Sequence, residues 1–104
     1  MLTYEKVLDL FQDYLERDSC IEIVMTKWGY VRLFCEPPYL NTLEAVLCRT
    51  PEELFKELLD DLLTDQEYQL AKKHGVLREK DREELEKMCK DFQSKIESEE
   101  EHIS

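Results

Sequence analysis

Two short runs rich in β-branched and aromatic residues, CIEIVMT and YVRLFCE, flank Lys27-Trp28-Gly29, one of only two places where the chain carries a glycine. Such runs around a glycine-containing connection predict a β-hairpin. A two-residue Trp28-Gly29 loop would set Met25 against Arg32 and mix charge into the apolar face. A three-residue loop, Lys27-Trp28-Gly29, instead pairs Met25 with Val31, Ile23 with Leu33 and Ile21 with Cys35. That register gives one clean apolar face and places Gly29 third in the loop, where a positive φ costs glycine nothing. The opposite face then carries Glu22, Val24, Tyr30, Arg32 and Phe34. Trp28 stands at the tip, either folded back onto Tyr30 or exposed as an anchor.

Around this hairpin the pattern is helical. Tyr4, Val7, Leu8, Phe11, Tyr14 and Leu15 recur at spacings of three and four, predicting a helix over 3–17 capped by Thr3, with Leu2 packing on Val7. Pro37 and Pro38 fix a loop, and LEAVLCR predicts a third strand. Thr50-Pro51-Glu52-Glu53 then reads as a helix start: a capping hydroxyl, proline at the first helical position and a glutamate that can reach back. Leu54, Phe55, Leu58, Leu59, Leu62 and Leu63 continue it as one stripe. Thr64 to Glu67 repeats the capping pattern just where the stripe lapses, which predicts a break. Gly75 closes the next helix, with Val76 folding back on it. A last helix faces Leu85, Met88, Cys89, Phe92 and Ile96 inward.

The expected fold is therefore α+β: an N-terminal helix, a three-stranded antiparallel sheet (hairpin plus third strand), then two to three C-terminal helices packed mainly on one sheet face. At 104 residues one compact domain over 1–96 is expected, with 97–104 an acidic, frayed or disordered tail.

Charge limits what the chain can bind. Twenty-five acidic against 14 basic residues give a formal net charge of -11. Direct nucleic-acid binding is not expected, because phosphate backbones are held by clustered Lys and Arg. Docking on an anionic membrane is disfavoured for the same reason. The start of the chain lacks a basic region followed by an apolar run, and no apolar stretch is long enough to span a bilayer, so a cytoplasmic protein is expected. Cys20, Cys35, Cys48 and Cys89 form no C-x-x-C pair and lie far in sequence from His74 and His102. They are expected to be reduced and structural, with no metal site and no cofactor.

No catalytic motif is legible. Two glycines cannot build a phosphate loop, no serine sits in an elbow, and His74 is placed to meet helix carbonyls rather than to act as a base. The sequence is expected to encode no enzyme but a small protein–protein interaction module. Its contact surface would be the hairpin face, Glu22, Val24, Trp28, Tyr30, Arg32 and Phe34, meeting a protein of basic character or a second copy of the chain. The alternative is an acidic mimic of nucleic-acid charge that inhibits a basic nucleic-acid-binding protein. It would act through Glu53, Glu57, Asp60 and Asp61, with Glu53, Glu57 and Asp61 about 6 Å apart along one helix face.

Overall fold

A computed structural model describes residues 2–36 and 41–101. The elements run α1 (Tyr4–Leu10), α2 (Gln12–Arg17), β1 (Ile21–Thr26), β2 (Gly29–Glu36), β3 (Asn41–Cys48), α3 (Pro51–His74) and α4 (Glu79–Glu101). The three strands form one antiparallel sheet in the order β1-β2-β3, so the fold is α+β. The chain divides into two compact units, residues 2–57 and those from 58 onward, and α3 passes from the first into the second. The loop containing Pro37 and Pro38 lies outside the described residues.

In the first unit, the Thr3 hydroxyl accepts the Lys6 N–H at 3.2 Å and starts the helix as expected. The predicted single helix is interrupted once, at Phe11, whose φ of -102° and ψ of 10° leave the helical region. Phe11 still donates to Val7 and accepts from Leu15, so the apolar stripe of Val7, Phe11 and Tyr14 is kept and buried. Leu2 is buried with them. Asp18 ends α2 by accepting from the Tyr14 hydroxyl and from the Cys20 N–H, which turns the chain into β1.

The hairpin register differs from expectation by one residue. Thr26 pairs with Gly29, Met25 with Tyr30, Val24 with Val31, Ile23 with Arg32, Glu22 with Leu33 and Ile21 with Phe34. The loop is therefore Lys27-Trp28 alone. The Thr26 hydroxyl ties it, donating to the Gly29 carbonyl at 2.7 Å and accepting the Trp28 N–H. Gly29 does carry the positive φ, at 143°. A Cβ added there would fall onto the backbone carbonyl of Cys48, so the glycine also lets β3 lie against the turn. A bulge between Phe34 and Cys35 shifts the β2–β3 pairing near the start of β3.

At the start of α3 the Thr50 hydroxyl accepts the Glu53 N–H, and the Glu53 carboxylate reaches back to the Arg49 N–H at 2.7 Å, one residue before the cap. The predicted break at Thr64–Glu67 does not occur: α3 runs unbroken for 24 residues. A capping residue must leave the helical region, and nothing forces Thr64 to do so. Asp, Gln and Glu are acceptable in a helix interior, and the half-buried Asp65 and Gln66 carry the stripe on to Leu70 and Ala71. The C-terminal helices therefore number two.

In the second unit Gly75, at φ 80°, ends α3 in the left-handed conformation. Val76 does not fold back; it is exposed. Arg78 precedes α4 and lacks a capping oxygen, but Asp81 compensates by accepting the Arg78 backbone N–H at 3.0 Å. The Arg78 guanidinium closes over the same carboxylate and also donates to His74 Nε2 at 2.8 Å, which ties the end of α3 to the start of α4. Asp81 is completely buried in this arrangement. In α4, Ile96 is buried and Leu85, Met88, Cys89 and Phe92 are half-buried, which is the expected stripe. The helix continues through Glu101, into the stretch expected to fray.

Two outcomes follow from this backbone. Gly29→Ala, which meets both the positive φ and the Cys48 carbonyl, should lower stability by more than about 1 kcal/mol in urea denaturation. Asp81 is held below the ordinary carboxylate value of 3.8 by its hydrogen bonds from Arg78, against the opposing effect of burial. Its contribution is therefore full above that value and is lost as pH falls through the depressed one. The stability gap between wild type and Asp81→Asn should be wide at neutral pH and close in acid. A gap independent of pH would contradict the Arg78–Asp81 ion pair.

Candidate functional site: the two faces of the sheet

The register determines which side chains share a face, because neighbouring positions on a strand point to opposite sides. One face carries Ile21, Ile23 and Met25 of β1, Tyr30, Arg32 and Phe34 of β2, and Glu44, Val46 and Cys48 of β3. This is the face that meets the helices of the first unit. The Tyr4 ring stacks on Tyr30 with centroids 4.2 Å apart, and its hydroxyl donates to the Cys48 carbonyl at 3.0 Å. Burial, then the negative groups around it, push the Tyr4 phenol above its ordinary value, which keeps it a donor. Phe11 meets Phe55 at 5.8 Å.

Arg32 lies in the middle of this covered face. Its side chain is only 5% exposed, and its charge is met by Glu57 of α3 at 3.0 Å and by Glu44 of β3 at 2.8 Å. An arginine can enter a covered face when carboxylates meet its guanidinium, and here two do. The expected register excluded this arrangement because it kept every charge off the apolar side.

The other face carries Glu22, Val24 and Thr26, then Val31 and Leu33, then Ala45 and Leu47. Val24 and Leu47 are exposed, as is Leu43 at the bulged end of β3, while Val31 and Leu33 are half-buried. Trp28 is 68% exposed at the hairpin tip, with the Lys27 ammonium 4.8 Å from its ring centroid. Trp28, Leu47 and Arg49 together line a shallow hollow.

The six residues expected to act together are thus divided. Glu22 and Val24 lie on the open face and Trp28 at its tip. Tyr30, Arg32 and Phe34 lie on the covered face, Tyr30 stacked on Tyr4 and Arg32 held by two glutamates. Glu22 and Arg32 therefore lie on opposite faces. Sequence reasoning missed Val31, Leu33, Ala45 and Leu47 as members of the open face. The signal is Arg32: a register chosen for one clean apolar face keeps its charge off that face, although Glu44 and Glu57 are present to meet it.

The acidic row is divided as well. Glu53 accepts the Arg49 N–H and Glu57 accepts from Arg32, so both of these carboxylates are engaged in the fold. Asp60 is exposed and Asp61 half-buried. Among the described residues no group of three His, Cys, Asp or Glu could hold a metal ion, and no helix is long and apolar enough to cross a membrane. Neither a known protein family, nor a curated protein, nor a solved structure matches the chain.

The Arg32 cluster generates a test. Removing both acids, Glu44→Ala with Glu57→Ala, takes two carboxylates away from a buried cation and should cost about 3–5 kcal/mol in denaturant unfolding, whereas Arg32→Met should be close to neutral. A double variant as stable as wild type, with the loss appearing only in Arg32→Met, would show that the arginine acts through packing alone.

Proposed function

We infer that the chain is a non-enzymatic protein–protein interaction module of the cytoplasm, and that its contact surface is the open face of the sheet with the hairpin tip. The observation that supports this is the combination of Val24, Leu47, Leu43 and Trp28, all exposed, around the half-buried Val31 and Leu33. Contiguous apolar surface on a folded domain usually marks a contact site. Tryptophan at the edge of such a surface adds large area with little rotamer entropy to lose. The cytoplasmic assignment rests on the four free thiols, two of them buried.

An apolar contact and a charge mimic differ in their response to salt. A photo-crosslinking residue at Leu47 should capture a protein from the native cell extract, and capture should persist as salt rises from about 0.1 M to about 0.5 M, where exposed charges are screened. The same residue at Glu83 on α4 should capture nothing comparable. Capture lost at high salt, or equal from both positions, would overturn the assignment.

A further inference from the structure

We propose that the occupant of the open face is a second copy of the chain, packed face to face about a two-fold axis that runs across the strands. This rests on the open face being the contact surface, and it names the partner and the pairing.

The pairing registers arrange the face in three rows across the sheet. The middle row is Val24, Val31 and Leu47. On one side lies Glu22, Leu33 and Ala45; on the other lies Thr26 and Gly29, with Arg49 just beyond the end of β3. The face therefore has an acidic corner at Glu22 and a basic end, where Lys27 and Arg49 adjoin Trp28. Arg49 bears no ion pair among the described residues, and its backbone N–H is the group that meets Glu53.

A two-fold axis through the middle row, perpendicular to the strands, lays that row on its own copy and exchanges the outer two. Val24, Val31 and Leu47 then meet the same residues of the partner. Leu33 comes over the partner's Gly29, which has no side chain, and Arg49 over the partner's Ala45. Large groups thus meet small ones, as in a packed interior. Glu22 comes to the end that holds the partner's Lys27, so each acidic corner faces a cation, twice by symmetry. Trp28 reaches the end of β3 that holds the partner's Leu43. A foreign partner would need none of this self-complementarity, whereas an isologous interface requires it. Aligned packing of two sheets at about 30° is the ordinary geometry for such a contact.

Each copy carries a formal charge of -11, so the copies repel at long range. Beyond about 8 Å physiological salt screens that repulsion, while the close Glu22–Lys27 contacts select the register. The dimer should therefore survive high salt.

Sedimentation velocity over a concentration series tests the proposal. Wild type should reach a dimer. Glu22→Lys and Lys27→Glu should each weaken it about ten-fold or more, and the combined variant should recover to within about three-fold of wild type, the signature of a coupled pair. An unchanged thermal midpoint establishes that each variant is folded. A wild type that stays monomeric at about 1 mM overturns the second-copy proposal, because even a weak specific complex would show there. If Leu47 then still captures another protein, only the partner was wrong; if it captures nothing, the contact surface was wrong as well. A dimer indifferent to both charge reversals overturns the two-fold arrangement.

Discussion

The ion cluster of Arg32 with Glu57 and Glu44 determines how the first unit is assembled. A guanidinium removed from water must be answered locally, and the edge strand β3 and the second turn of α3 supply carboxylates to the central strand. This requirement places Tyr30 and Phe34 on the covered side with Arg32, since residues two apart on a strand share a face. It also sends Val31 and Leu33 outward. The apolar character of the open face is the counterpart of a charge admitted to the covered one.

Local signals in the chain were legible where a residue's chemistry acts on its own neighbours. Thr3 and Thr50 cap helices, Gly29 and Gly75 take positive φ, and the stripes of α3 and α4 face away from water. The class, order and type of the elements followed from these. What was not legible depends on contacts between residues distant in sequence. The hairpin register brings Arg32 to Glu57, 25 positions away, and no pattern within 20–36 contains that contact. Because the strand period is two, a slip of one residue moved half of the expected contact surface to the wrong side. Asp81 was hidden for the opposite reason: in so acidic a helix, one carboxylate that closes back on Arg78 looks like any other.

α3 shows the limit of a capping pattern as evidence. Thr50 and Thr64 both precede a glutamate three residues on, yet only Thr50 begins a helix. The difference lies upstream. Thr50 follows a strand, with Pro51 unable to extend any ladder inward, whereas Thr64 follows two full turns of buried leucine stripe that carry the helix through. Tertiary burial decides the outcome, and the local motif is left unused.

The free side of β1 has a consequence for the protein's behaviour in solution. Among the described residues β1 is bonded only to β2, so every second peptide group along Ile21–Thr26 faces away from the sheet. That strand contains no lysine, proline or bulge, the usual guards against another chain adding itself as the next strand. The remaining guard is electrostatic: Glu22 sits on the strand itself, and like-charged molecules pay a repulsive cost on approach that non-specific edge pairing, unlike a complementary face, does not offset. This guard vanishes as the carboxylates take up protons near the isoelectric point of 4.6. The acidity of the chain thus acts as a solubilising coat for an unprotected strand, and mild acid is the condition under which that strand would draw the protein out of solution.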